Sequence, residues 1–406
     1  EAQGGTLILG GGFAGAYVAR GLGRQGATIV NPANFMLYTP LLPEAASGSL
    51  EPRHVTVPLR AMAPHSDLLL GSAVTLDTDG KVVHVSSEAG SFAVGYERLV
   101  IALGSVTRTP SVPGAAEHAL TLKDLGDAIR LRNHVLRRIE LADADPSSAE
   151  RRLTFVFAGA GFAGVEAVAE LQELAEGALR RHPRLGGIRP RWVLVDTAPR
   201  ILGQVPDSLA RFAARTLGRR GVQIISGTAL ASIDRSGVVL SDGRRLETET
   251  VVWTAGVAAN PVAARLGLPL DARGRVPVDE LFRVNGLDDV YALGDIAAVP
   301  NLATPGEYDP PTCQHALRQA KRLARNLSGR EKPYRFKSLG AMATLGRRHG
   351  IAVVGSLRLR GIAGWAVARG YHLMALPFVA RRARVLADWT HAALFRRDVA
   401  ELTGAA

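Results

Sequence analysis

Two glycine runs hold the residues whose types and spacing point most directly to chemistry. The first, Gly10-Gly-Gly12-Phe13-Ala14-Gly15, follows the apolar stretch Thr6 to Leu9 and precedes a stretch of helical composition, Ala16 to Arg24. The second, Gly159-Ala-Gly161-Phe162-Ala-Gly164, lies between the apolar run Leu153 to Phe157 and a helical segment from about Val165 to Arg181. Glycines at this spacing between a strand and a helix make a tight turn whose backbone N–H groups can receive a pyrophosphate. In that context each run reads as a dinucleotide cradle, and two cradles imply two cofactors.

Each cradle is followed by a strand whose end normally carries an acid for the ribose hydroxyls. After the second cradle this is Asp196, which would repel a 2′-phosphate and favour NADH over NADPH, although Arg200 is near and a plain surface loop is the alternative. After the first cradle it is Asn31, which donates and accepts but lacks a carboxylate's charge. Gly294 and Asp295 end another apolar strand, where an Asp can accept from a polyol hydroxyl or act as a helix cap. Glu166, on the first turn after the second cradle, either stabilises a helix N-terminus or reaches an active site.

Composition narrows the chemistry. The 406 residues are 47% hydrophobic and 21% charged, enough for two domains with cores of their own. One cysteine, Cys313, excludes an intramolecular disulfide and a thiol redox pair, so any redox chemistry must come from a bound organic cofactor. The ten histidines show no metal-ligand spacing, and His315 and His349 read as packing or pocket residues. A net charge of +12 admits phosphate-rich cofactors or anionic lipid, whereas no nucleic-acid-binding module is visible. No leader peptide is expected at the N-terminus, and Ile362 to Val379 is interrupted by Arg369, His372 and Pro377, which argues against a spanning helix.

The elements that must position these residues repeat. Asp67 to Val85 reads as short antiparallel strands followed by an apolar strand ending at Ala102 and Gly104; Ala231 to Val239 and Thr250 to Gly256 repeat the arrangement. Ala102, Gly104 and Gly256, at those strand ends, are assigned to the cofactor sites. The expected class is α/β, with two Rossmann-like dinucleotide-binding domains, the second inserted in the first. Arg358, Arg360, Arg369, Arg381, Arg382, Arg384, Arg396 and Arg397 crowd the tail, where Val385, Leu386, Trp389 and Ala393 recur at helical spacing. Such a helix fits an anionic membrane surface, with Trp389 near the headgroups and arginines reaching outward, or else packs on a domain core.

Longer motifs add a resemblance. Phe35-Met-Leu-Tyr-Thr-Pro40-Leu41-Leu-Pro-Glu44, Val252-Trp-Thr-Ala-Gly256, Tyr291-Ala-Leu-Gly-Asp295, Pro310-Pro-Thr-Cys-Gln314-His-Ala and Leu339-Gly-Ala-Met-Ala-Thr-Leu-Gly346 stand in an order that resembles the flavoprotein pyridine-nucleotide:disulfide reductase superfamily. Within it the chain looks like the type II, non-proton-pumping NADH:quinone oxidoreductases, from about Thr6 to Leu402. The resemblance implies FAD bound by residues 1–116 and 250–330, NADH bound by 117–249, and a C-terminal region, 331–406, on the cytoplasmic face of the membrane. It implies a ubiquinone or menaquinone acceptor, a homodimer, Pro40 and Leu41 close to the flavin, Glu166 in the active site, and Gln314 on the quinone side. Arg318 stands where the family often has a second glutamine. A related flavoprotein with another acceptor, or a non-catalytic FAD- and NAD-binding membrane protein, is the alternative.

Overall fold

The structure, a computed structural model, describes residues 5–108, 111–395 and 397–402; Arg396 of the basic tail lies outside them. The chain divides into two compact units. One comprises the residues up to Tyr38, Thr56–Val106 and Val257–Ser338; the other comprises Thr39–Val55, Thr107–Gly256 and the residues from Leu339 onward.

Each unit is built on a five-stranded parallel sheet, and the two sheets follow one plan. In the first, Thr6–Leu9 is central, with Thr28–Asn31 and then Asp67–Leu70 on one side and Arg98–Ile101 and Val290–Ala292 on the other. In the second, Thr154–Ala158 is central, flanked by Arg191–Asp196 and Val222–Ser226 on one side and Thr250–Trp253 and Ala119–Thr121 on the other. Both central strands are buried along their whole length, as parallel strands covered on both faces must be, which is why they read as continuous apolar runs. The helices Phe13–Leu22 and Phe162–Leu179 follow directly, each beginning at the second glycine of its run. Three-stranded antiparallel sheets, Ser72–Asp77 with Val82–Ser87 and Gly90–Gly95, and Leu230–Asp234 with Gly237–Leu240 and Arg245–Glu247, complete the repeat.

The units do not divide where the sequence suggested. The boundaries expected after residues 116 and 249 fall after Val106 and Gly256. Thr250–Trp253 pairs with Thr154–Ala158 on one edge and Ala119–Thr121 on the other, which satisfies its backbone groups within the second unit's sheet. Thr39–Val55 leaves the first unit between the paired strands Phe35–Leu37 and Thr56–Pro58 and packs in the second. The C-terminal region also belongs to the second unit, where Met342–Thr344, Gly350–Val354 and Leu357–Gly361 form an antiparallel sheet followed by helices Ile362–Ala375 and Val379–Leu394.

Candidate functional site

The two glycine runs have nearly superimposable local geometry. Gly12 and Gly161, which precede the first helical residues, have φ/ψ of −74°/−165° and −74°/−169°. The first glycines, at φ +108° for Gly10 and +110° for Gly159, occupy conformations that L side chains rarely adopt. A Cβ on Gly10 would overlap the Ala102 carbonyl, and one on Gly159 would stand 2.6 Å from the Ala255 nitrogen. The third glycines pack the helix onto the turn, since a Cβ on Gly15 or Gly164 would strike the carbonyl of Gly10 or Gly159. The second glycines differ: a Cβ on Gly12 or Gly161 would meet nothing within 4 Å. Their Cα faces are open ground before a helix N-terminus, the shape a pyrophosphate requires. Phe13, Ala14 and Phe162 form the first turns above these openings.

Asn31 and Asp196 have matching duties. Asn31 Oδ1 accepts the Gly11 N–H at 2.8 Å, while its Nδ2 donates to the Ala33 carbonyl at 2.6 Å. Asp196 accepts the Ala160 N–H at 2.5 Å and the Ala198 N–H at 2.7 Å. Gly11 and Ala160 occupy the same place in their runs, so the asparagine holds the first turn as the aspartate holds the second. Arg200 is committed elsewhere: its terminal nitrogens donate to the Val205 and Gly203 carbonyls, each at 3.1 Å.

Ala102 and Gly104 follow the strand Arg98–Ile101, and Gly256 follows Thr250–Trp253. In the second unit Thr254 Oγ1 staples this crossing by donating to the Ala158 and Gly159 carbonyls at 3.0 and 2.9 Å. Gly294, at φ +76°, opens a single 3₁₀ turn, Gly294–Ile296, rather than a helix. Asp295 Oδ2 accepts from Ser105 Oγ at 2.6 Å. The Gly294 N–H donates to Gln319 Oε1 at 2.8 Å.

Helix Cys313–Leu327 starts at Thr312, whose Oγ1 lies 2.7 Å from His315 Nδ1. Gln314 Oε1 accepts from Ser338 Oγ at 3.2 Å, and the Arg318 guanidinium stacks 5.4 Å from the Phe336 ring centroid. Burial pushes the Cys313 thiol up to about 12, so it stays protonated and inert at neutral pH.

The second unit holds a row of acids, of which Glu170 is buried and Glu166 and Glu173 are half-buried. Glu166, Glu170 and Glu173 share one face of helix Phe162–Leu179. Glu166 Oε1 accepts from the Thr344 N–H at 2.9 Å and from Thr344 Oγ1 at 3.3 Å. Burial nevertheless raises its pKa to about 8, against the pull of those bonds. Burial likewise lifts Glu44 to about 7 although Arg369 stands 3.4 Å away. Glu170 is also buried, but Arg397 at 3.0 Å, Arg369 and Ser47 outweigh burial and keep it below its ordinary value.

This cluster corrects the reading of the tail. Trp389 is 7% exposed and donates through Nε1 to Glu44 Oε2, so it belongs to the interior rather than to a headgroup layer. Arg369 lies between the Trp365 and Trp389 rings, and Arg397 is paired with Glu170 and Glu173; neither reaches outward. Val379, Leu386 and Leu394, at spacings of seven and eight, form the exposed apolar face of helix Val379–Leu394, with Val379 77% and Leu394 73% exposed.

The first unit thus gathers Gly10, Gly12, Phe13, Ala14, Gly15, Asn31, Ala102, Gly104, Gly294, Asp295, Gln314 and Arg318, and the second Pro40, Leu41, Gly159, Gly161, Phe162, Gly164, Glu166, Asp196 and Gly256. Pro40 and Leu41 form a 3₁₀ turn at the start of the excursion into the second unit. Sequence reasoning missed Ser105, Gln319 and Thr344. Among the described residues no helix is long and apolar enough to cross a membrane, and no group of His, Cys, Asp and Glu stands ready to hold a metal ion.

The family model for pyridine nucleotide-disulphide oxidoreductases matches residues 5–320. The chain belongs to this family. As a pyridine nucleotide-disulphide oxidoreductase it carries FAD- and NAD(H)-binding domains of Rossmann type. It is 29% identical to the type II NADH:quinone oxidoreductase Ndh of Mycobacterium tuberculosis, over 95% of this chain and 87% of that protein. It is 28% identical to a probable NADH dehydrogenase of Dictyostelium discoideum, over 97% and 90%. Its fold matches that of NDH2 from Plasmodium falciparum, solved in complex with NADH, with a TM-score of 0.90, 17% identity and coverage of 98% and 99%.

Proposed function

We propose that the chain is a type II NADH:quinone oxidoreductase, with FAD in the cradle of the first unit and NADH in that of the second. The observation that carries this reading is the pair of open second glycines, Gly12 and Gly161, each before a helix N-terminus in a chain of this family. When bound, FAD accepts a hydride from NADH and passes two electrons to a quinone.

The backbone around Gly12 and Phe13 receives the FAD pyrophosphate, and Asp295, steadied by Ser105, accepts from a ribityl hydroxyl. Gly161 and Phe162 receive the NADH pyrophosphate, and the Asp196 carboxylate beside them disfavours a 2′-phosphate. Arg200, the arginine nearest in sequence, is held on its own loop by the Val205 and Gly203 carbonyls. Glu166 holds its proton at neutral pH on Oε2, because Oε1 accepts both Thr344 bonds. It thereby offers a proton for quinol formation, which needs one beyond the hydride. Gln314 and Arg318 are the acceptor-side residues of this reading, supported by the motif around Pro310 to Ala316.

Purified protein should turn over NADH rapidly on addition of ubiquinone or menaquinone analogues, with kcat/KM for NADPH lower by about tenfold or more, ~1.4 kcal/mol of discrimination. NADH turnover that these quinone analogues do not raise, or no turnover in their presence, rejects the reading, and equal efficiency with NADPH rejects the role of Asp196.

The reading includes a homodimer on the cytoplasmic membrane face, supported by the motif resemblance. An anionic lipid surface is supported by the exposed Val379, Leu386 and Leu394 in a tail rich in arginine. Leu386→Asp with Leu394→Asp should lower affinity for anionic vesicles, read by co-sedimentation, by about 10²-fold or more, since each buried leucine side chain contributes roughly 1.5–3 kcal/mol. NADH reduction of a soluble acceptor should be unchanged, and undiminished vesicle binding removes this surface from the account.

A further inference from the structure

The turn that presents Asp295 is held by a chain of side-chain hydrogen bonds that the proposed reaction does not use. The Gly294 N–H donates to Gln319 Oε1 at 2.8 Å, and Gln319 Nε2 donates to Asp309 Oδ2 at 2.8 Å. The other carboxylate oxygen, Asp309 Oδ1, accepts from Asn301 Nδ2 at 2.8 Å. Gln319, Asn301 and Asp309 are all buried, so each polar atom needs its partner.

Backbone donors fix the direction of every bond in this chain. Asn301 Oδ1 accepts the Ala303 N–H at 2.9 Å and the Phe336 N–H at 3.0 Å, and Nδ2 also donates to the Phe336 carbonyl at 2.7 Å. The Asn301 amide therefore cannot be turned without facing donor to donor. The Gly294 N–H fixes the Gln319 amide in the same way. Position 309 consequently meets an N–H donor on both sides and must accept from each, which a carboxylate does and a carboxamide of the same shape does not. Nearby, the buried phenol of Tyr334 stays protonated, pushed up by burial and by Asp309, and His315 Nε2 stands 3.8 Å from Oδ1.

We infer that Asp309 is a positioning residue for the FAD site: by accepting from both Asn301 and Gln319 it lets the Gln319 amide keep its oxygen on the Gly294 N–H, and so holds the Gly294–Asp295 turn. The inference rests on the reading that this turn holds the ribityl chain of FAD. In Asp309→Asn, one amide donor faces another; if Gln319 turns to relieve this, its Nε2 confronts the Gly294 N–H instead. Combining Asp309→Asn with Gln319→Glu restores the sequence of donors and acceptors. The carboxamide at position 309 then accepts from Asn301 and donates to the carboxylate at position 319, which accepts from Gly294.

The test is the rate of FAD release from purified holoprotein on dilution, followed by the rise in flavin fluorescence. Asp309→Asn should release FAD roughly tenfold faster, the size expected of one buried unsatisfied donor, and the double variant should return close to the wild-type rate. That rescue separates positioning from general loosening, because two unrelated lesions in one core add rather than cancel. Release from Asp309→Asn at the wild-type rate, or from the double variant at the rate of the single one, overturns the inference. Should Asp309→Asn fail to fold, Gln319→Met keeps the volume and removes the acceptor from Gly294, and unchanged release from it is equally contrary. Wild-type protein that binds no FAD overturns the cofactor reading and this inference together, whereas FAD-binding wild type with an unchanged variant overturns the inference alone.

Discussion

Gly12→Ala should fold normally and purify with at least about tenfold weaker FAD binding, ~1.4 kcal/mol or more. The backbone at Gly12, φ −74° and ψ −165°, suits any residue, and a methyl group there meets nothing within 4 Å of its own chain. Only a bound pyrophosphate contends for the space. Gly161→Ala has the same geometry in the second cradle and should retain FAD while the KM for NADH rises by a similar factor. Flavin content, melting temperature and NADH titration of the two variants check this crossed pattern. Loss of FAD from Gly161→Ala with retention by Gly12→Ala would exchange the two cofactors. Unchanged binding in both would remove the cradles from the account. Gly10→Ala is not a substitute, since it strains the backbone and strikes Ala102, and would test folding.

Glu166→Gln should lower quinone-dependent turnover by about 10²-fold, the lower end of general acid catalysis, and change its pH dependence. With a pKa near 8, Glu166 is protonated at pH 7 and loses its proton as pH rises through 8, so wild-type turnover should fall on that alkaline limb. The glutamine variant cannot titrate and should lack the limb. The same shift predicts a stability effect of definite sign. Folded Glu166 keeps a proton between its ordinary value of 4.5 and about 8 that the unfolded chain has released. Its contribution is therefore complete below 4.5 and is lost as pH rises to about 8, a slope absent from Glu166→Gln. Denaturant midpoints across that window measure it. An alkaline limb that survives in the variant would assign the proton to another group; Glu44, whose pKa is near 7, is the nearest in value.

What was legible in the sequence is what local geometry dictates. The glycine runs declare themselves because a positive φ and a close backbone approach admit little else, and the apolar strands declare themselves because both faces are covered. The domain edges were misjudged because Thr250–Trp253 is equally apolar whichever sheet receives it; pairing with Thr154–Ala158 is a long-range fact. Asn31 looked like a departure, yet the Gly11 N–H needs an acceptor oxygen, which an amide supplies without a carboxylate's charge.

Trp389 failed as a membrane anchor for a similar reason. Helical spacing specifies a face but not what lies against it, and its partner Glu44 is 345 residues away. The Asp309 relay was equally hidden. Its members Asn301, Asp309 and Gln319 carry no shared period, and only the fold brings them beneath Gly294. The acid row was within reach, since Glu166, Glu170 and Glu173 fall on one helical face after the second cradle.

The most direct measurement is a two-stage stopped-flow record at the flavin absorbance band, in which purified protein is mixed first with excess NADH under anaerobic conditions and then with a ubiquinone or menaquinone analogue. The account predicts bleaching of the band by NADH and its rapid return on addition of the quinone. A band that NADH leaves oxidised, or a bleached band that no quinone restores, contradicts it.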